Sequence, residues 1–255
     1  MSQQQVRPGN GGPHPPREDE DTRRIHDYWQ ERSRVVLTPV SSPAVLGLFA
    51  FGGATWPVAA HLAGWYGGKD SDLFLFEFAA LFGGFGQLVA AVWSYRARSA
   101  LGTGLFGLWG FWWLGWGLMI ALDMIHVISL PDKSSPFPEF GFWFITTGII
   151  TLAGTVAALR ISIGVVLVTL CAGTASLIAA AGYFGGFPTI DNIAGYDFFA
   201  AATFAVFTGI AVMLEEHWGR PLLNAGKLRD KRVHEMADEY PIQYDQGMPG
   251  SRIGG

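Results

Sequence analysis

Charge is scarce where this chain is longest. Only 15% of its 255 residues are Asp, Glu, Lys or Arg, against about 25% in an ordinary soluble domain. Those charges crowd at the ends: 12 lie in the first 43 residues, 13 in the last 41, and 13 in the 171 between. A water-facing surface cannot be built from such a middle, which excludes a soluble enzyme. The formal net charge of −4 and the lack of a basic face exclude a nucleic-acid binder. The single cysteine, Cys171, excludes a disulfide within the chain. The opening MSQQQVRPGN has no apolar run after a basic start, so no cleaved signal peptide is expected. No His/Cys/Asp/Glu group has metal spacing, and neither a Ser-His-Asp set nor a phosphate-cradling glycine loop has its strand context. No catalytic residue, metal or cofactor is therefore expected.

What the middle has instead is apolar length. Crossing a hydrocarbon core of about 30 Å takes roughly 20 apolar helical residues. Six such runs stand out, at about 44–66, 73–94, 101–122, 140–159, 161–183 and 193–214. The stretch from Phe140 to Tyr183 is too long for one crossing, so Arg160 near its middle is read as a tight turn. The fold class is an all-α integral membrane protein of six transmembrane helices. Six Lys and Arg lie in each tail, two in the second loop (Arg96, Arg98) and one in the fourth (Arg160). The alternate loops hold only Lys69 and Lys133, a split of 15 against 2. Positive residues stay on the cytoplasmic side, so both termini are expected there.

Three segments follow. Residues 1–40 form a polar N-terminal tail, too polar to fold alone, with an interfacial helix expected over 25–37. Residues 41–218 are the six-helix domain, and 219–255 a cytoplasmic tail whose stretch 224–240 is read as continuing the last helix. Small residues mark the packing faces, because lipid supplies no hydrophobic drive between helices. Ala79, Gly83, Gln87 and Ala91 recur every four residues with Gly84 beside them, and the third span carries Gly102, Gly104, Gly107, Gly110, Gly115 and Gly117. Ser42-Pro43 opens the first span as an N-cap and a first helical residue. Its free N–H groups and positive dipole end would suit a carboxylate at the cytoplasmic mouth. Ionisable residues in spans are functional candidates: His61, Glu77, Asp123, His126 and Asp197, all read as lying near the outer helix ends.

These residues resemble a known family. The segment from Ser42 to Phe51 is similar to the N-P-A-P-L-G-L opening of the GPR1/FUN34/YaaH family of acetate and succinate transporters. Gly83-Gly84-x-x-Gln87, then Tyr95-Arg96 and Gly102, resemble its G-G-x-x-Q helix and following loop. Phe106 to Trp113 resembles its F-T-S-Y-G-S-F-W helix, and Glu215 to Leu222 its closing E-x-x-G-R pattern. The resemblance covers residues 36–226. It implies a six-helix bundle like that of urea channels, a passage through each subunit, and a ring of six subunits in the plasma membrane. It also implies a hydrophobic constriction, which falls by position on Phe51, Trp109 and Leu170, with Thr169 as the alternative to the last. Here the first Asn is Ser42, the second Pro is Val45, and the third-span Thr, two Ser and Tyr are Gly107, Leu108, Phe111 and Trp109. The passage therefore has fewer hydroxyls.

Two function classes follow: a transporter or channel for small monocarboxylates such as acetate, moved as the protonated acid or as anion plus proton, and, as the alternative, a non-transporting sensor or scaffold of the same fold or a channel for another small polar solute. The expected partners are a small carboxylate, protons, the lipid bilayer and further copies of the chain. Glu77, Asp123 and Asp197 are the candidates for a proton-linked outer rim. Cysteines placed at Asp70, Lys133 and Thr189 in a Cys171→Ala background should react with an impermeant thiol reagent added outside. Labelling at Arg98 or Gly226 instead would reverse the topology.

Overall fold

The computed structural model describes residues 41–68, 71–132 and 134–228. The interfacial helix expected over 25–37 lies outside the described residues. Helix α1 spans Pro43–Leu62. The second crossing begins as α2, Ser71–Glu77, runs through a π-helical stretch, Phe78–Gly86, and ends as α3, Gln87–Arg96. Then come α4, Ala100–Met124, α5, Pro138–Ala158, α6, Ile163–Gly185, and α7, Pro188–Trp218. Among the described residues six helices are long and apolar enough to cross a membrane, and no strand is present. The chain breaks at Arg160 as the length rule requires. Ser162 caps α6, its Oγ accepting from Val165 N at 3.2 Å.

Packing runs α4, second crossing, α1, α7, α6, α5 in a ring, with the sparsest contact between α5 and α4. The well-packed seams are built on small residues. Ala79, Gly83, Gln87 and Ala91 are all buried, so the four-residue stripe survives the π-helical stretch. A Cβ on Gly83 would lie 2.7 Å from Ala54 Cβ and 2.8 Å from Trp113 Cγ, and Gly84 abuts Leu114. In α4 the glycines divide. Gly102, Gly110, Gly115 and Gly117 are in tight contact, Gly107 is loose, and Gly104 has nothing within 4 Å.

The sparse α4–α5 seam is filled by rings. Trp112 sits 5.8 Å from Phe140, 5.4 Å from Trp143 and 5.1 Å from Phe144, centroid to centroid. The aromatic residues of the third span thus split by burial: Trp109, Trp112 and Trp113 turn inward, while Phe111 is 68% exposed.

The end of α7 departs from the sequence reading. Gly219 takes a left-handed conformation, φ +64°, and closes the helix. Residues 225–228 return as an extended strap against the α5–α6 turn, with Ile163 N donating to Gly226 O and Gly164 N to Ala225 O, both at 2.9 Å. The last helix is not continued over 224–228. The N–H groups at the start of α6 take those carbonyls instead, which satisfies groups that a helix end leaves open. Arg96, Arg98, Arg160, Arg220 and Lys227 share the end of the bundle where this strap lies, and the opposite end holds no Lys or Arg among the described residues.

Gly83→Ala should lower the thermal unfolding midpoint in detergent, because backbone and ring must both shift. Gly104→Ala should leave it equal or raise it, since a helical Gly costs about 1 kcal/mol relative to Ala. Equal effects at the two positions would contradict the packing.

Candidate functional site

The bundle encloses two chambers on its axis, and Trp109 is the one residue common to both. The near chamber, at the end carrying the strap, has a volume of about 280 Å³ and is walled by Ser42, Leu48, Gln87, Phe106, Thr151, Val168 and Thr169 among others. The far chamber, about 180 Å³, is walled by Thr55, Trp112, Trp113, Phe140, Phe144 and Phe198, with His61, Tyr183 and Asp191 at its outer side. Those last three also line an outermost antechamber with Tyr66 and Asn192.

Trp109 is held on several sides. Its Nε1 donates to Thr151 Oγ1 at 3.1 Å. Phe51 meets it edge-on at 5.3 Å and Phe198 edge-on at 6.1 Å, while Trp112 lies tilted against it at 5.6 Å. Both Phe51 and Trp109 are 4% exposed. Such T-shaped pairs add to area burial, and a fixed indole partition is the result.

Leu170 does not join this group. It is 41% exposed on the outward face of α6. The inward positions are Val168, Thr169 and Ala172, because one residue turns a helix by about 100°. Thr169, the sequence alternative, is 4% exposed and donates its hydroxyl to Val165 O at 3.0 Å.

None of the expected rim residues lines a chamber. Glu77 is exposed. Asp123 folds back to accept from Leu130 N at 3.0 Å. Asp197 is not at an outer helix end either: it accepts from Thr174 Oγ1 at 2.6 Å, level with the middle of α6. The carboxylates that do reach the passage are Asp191, 8% exposed, and Asp132 in the α4–α5 loop. Asp191 seats against Gly182, where any Cβ would strike its carboxyl group. His126, at the far end of α4, is exposed. Among the described residues no group of three or more His, Cys, Asp or Glu is placed to hold a metal.

The start of α1 does hold a carboxylate, and it is the protein's own. Ser42 N donates to Glu216 Oε1 at 3.0 Å and Ser41 Oγ to Oε2 at 2.9 Å, while Ser42 makes no side-chain cap. Neighbouring Glu215 accepts from Lys227 Nζ at 2.6 Å. Two glutamates on the last turn of α7 thus tie α1 and the strap to one end. Pro43 serves as the first helical residue, as expected.

Gly83 and Gly84 are contact points of the second crossing. Gln87, 1% exposed, faces the near chamber. Its Nε2 donates to Gly83 O at 2.9 Å, while its backbone N–H turns to Gly84 O. The side chain therefore takes a carbonyl that the shifted register leaves open.

Sequence reasoning missed Thr151, Phe198, Tyr183 and the inward role of Asp191. The signal for Thr151 was there: Phe144, Thr147, Gly148, Thr151, Gly154 and Ala158 form a buried stripe at helical spacing.

Replacing Glu216 with Ala should destabilise the folded chain by roughly 1 kcal/mol, the scale of a lost helix cap. Glu216→Gln, which keeps an acceptor, should recover part of it. Thermal unfolding in detergent reads both, and an unchanged midpoint in Glu216→Ala would deny the cap.

The sequence profile of the GPR1/FUN34/yaaH family matches residues 31–220. The chain is 28% identical over 200 residues to an uncharacterized protein of Methanothermobacter thermautotrophicus, covering 76% of this chain and 95% of that one. It is 24% identical over 190 residues to the succinate-acetate/proton symporter SatP of Escherichia coli K12, covering 74% and 97%. The solved structure of the bacterial acetate channel SatP superposes with a TM-score of 0.67 at 21% identity, over 74% of this chain and all of that one, and so shares the fold. Its matching profile, six crossings and shared fold establish the chain as a member of the GPR1/FUN34/yaaH family.

Proposed function

We propose that this chain conducts small monocarboxylates such as acetate across a membrane, as the protonated acid or as anion plus proton. The observation that carries this reading is the pair of axial chambers meeting at Trp109. A passage interrupted by one ring partition suits a solute that is small and partly apolar. The curated relative is named for succinate, acetate and protons, and the solved relative for acetate. Those names support the reading by kinship.

In this reading Phe51, Trp109 and Phe198 form the dry barrier. Hydrophobic constrictions exclude hydrated ions, whereas a neutral short-chain acid sheds little hydration on entering. Thr169, in place of Leu170, belongs to the near wall. The acidic far end works in the same direction. Glu77, Asp123, Asp132, Glu139 and Asp191 all lie there, and like charge repels an approaching anion while raising the local proton concentration. Asp191, rather than Glu77, Asp123 or Asp197, is the carboxylate placed to act on the solute.

The near end carries the arginines and is the cytoplasmic one, so both termini face the cytoplasm of a plasma-membrane protein. The exposed apolar belt, with Leu81, Phe85, Phe111, Phe142 and Ile149 among its members, meets lipid and neighbouring copies in a ring of six. The passage needs no catalytic step.

Proteoliposomes holding the purified chain should take up labelled acetate faster than protein-free vesicles. The rate should climb as external pH falls from about 8 to about 5, towards the carboxyl range near 4. Uptake equal to that of empty vesicles at both pH values would favour the sensor or scaffold instead.

A further inference from the structure

One corner of the near end carries charge that the fold does not spend. Between Glu77 and Asp123 the only ionised side chains are Arg96 and Arg98. They stand at the turn from α3 to α4, and neither makes a side-chain hydrogen bond or an ion pair among the described residues. Other charges at this end are spent: Lys227 pairs with Glu215, and Glu216 is held by Ser41 and Ser42. The turn itself is tied by three backbone bonds, from Ala97 N to Trp93 O, Arg98 N to Tyr95 O and Ser99 N to Ser94 O. They hold Arg98 at φ +56°. A left-handed backbone is costly for a residue with a Cβ, and the position just past a helix cap ordinarily goes to glycine. An exposed arginine is kept there instead. Arg96 lies over the exposed ring of Trp93, 5.5 Å from its centroid, and Tyr95 is 76% exposed beside it. Length fixes the depth of this corner. The second crossing is apolar over the 23 residues from Phe74 to Arg96, about 33 Å at a rise of about 1.5 Å, against a hydrocarbon core of about 30 Å. Both arginines therefore lie where the core ends and headgroup phosphates begin, the level at which Trp and Tyr rings also settle.

We propose that this corner binds the headgroup of an anionic glycerophospholipid, with Arg96 and Arg98 on its phosphate and Trp93 and Tyr95 at the level of its glycerol. A guanidinium presents paired N–H donors that match phosphate oxygens. Leu81, Phe85 and Val92 are exposed on the second crossing below the corner, and Arg96, four residues after Val92, shares its face. The acyl chains of the same molecule have that apolar wall to lie against. Phosphate above and hydrocarbon below is a demand that a lipid meets and a soluble anion does not. Net charge then selects among lipids. A zwitterionic phospholipid offers the same phosphate with its charge cancelled by the headgroup cation. Two unpaired arginines, with no carboxylate between Glu77 and Asp123, favour a lipid of net negative charge, by about fivefold for each cation near the surface. Nothing in this inference depends on which solute the passage carries.

The test uses the full chain in detergent, titrated with phosphatidylglycerol or with phosphatidylcholine of matched acyl chains, and read by native mass spectrometry and thermal unfolding. The wild type should bind phosphatidylglycerol at least about fivefold more tightly than phosphatidylcholine, and phosphatidylglycerol should raise its unfolding midpoint, because a ligand of the folded state stabilises it. Arg96→Gln and Arg98→Gly should each weaken phosphatidylglycerol binding about fivefold and leave phosphatidylcholine binding unchanged. Glycine suits the left-handed turn, so Arg98→Gly should unfold without lipid at the wild-type midpoint or above, which separates loss of the site from loss of the fold. Arg160→Gln removes one positive charge from the same end and should change neither affinity. Inorganic phosphate in about tenfold excess should not displace the lipid; displacement would make the corner a site for a free anion and overturn the proposal. Equal affinity for the two lipids in the wild type, an undiminished preference in the double variant, or an equal loss in Arg160→Gln would each overturn it as well.

Discussion

Six helices can enclose an axial passage in lipid only if their backbones touch on the remaining sides. Hydrocarbon gives no hydrophobic drive for that contact, so it depends on small side chains that let dispersion act at short range. Here the small residues occupy the seams. Gly83 lies on Ala54, and Gly195 leaves no room between α7 and the backbone of Ala63. The bulk displaced from the seams goes to the axis. Phe51, Trp109, Trp112, Trp113, Phe140, Phe144 and Phe198 are each at most 6% exposed. They crowd the bundle axis and leave the near and far chambers between them. The passage is thus what remains when flat, rigid rings pack against one another.

The electrostatics have the same economy. The described cations gather at one end and the chamber-facing carboxylates at the other, so the field runs along the axis with little charge in the walls. Where a charge does enter the fold, it has a partner or a seat. Glu216 takes the open N–H at the start of α1, Asp197 takes Thr174, and Asp191 rests on Gly182. The helix mouth read from Ser42-Pro43 as a place for a carboxylate does bind one. A glutamate from the last turn of α7 fills it, which turns a candidate substrate contact into a tie between first and last helices.

Much of this was legible in the sequence for a simple physical reason. Bilayer thickness fixes helix length, which yields six crossings and forces the break at Arg160. The four-residue recurrence of Ala79, Gly83, Gln87 and Ala91 reads as a buried face because small residues have few other reasons to repeat. Facing was harder. Leu170 and Thr169 differ by one position, and in a run as uniformly apolar as α6 nothing marks which of them turns inward. Acidic residues at helix ends also look alike in one dimension. Asp123 bends back onto its own loop and Asp191 turns into the passage, a difference set by the α4–α5 loop and by the missing Cβ of Gly182. The strap over 225–228 was invisible, because its hydrogen bonds go to the α5–α6 turn some sixty residues earlier.

The central claim is that Trp109 seals the passage to hydrated ions. Its direct test is the efflux of trapped chloride from proteoliposomes carrying the wild type or Trp109→Ala, under an imposed potential and at matched protein density. Removing the indole joins the near and far chambers, so the variant should release chloride at least about tenfold faster than the wild type, a barrier change of about 1.4 kcal/mol. The wild type should stay close to empty vesicles. Equal, slow efflux from both proteins would contradict the account, for the partition would then lie elsewhere.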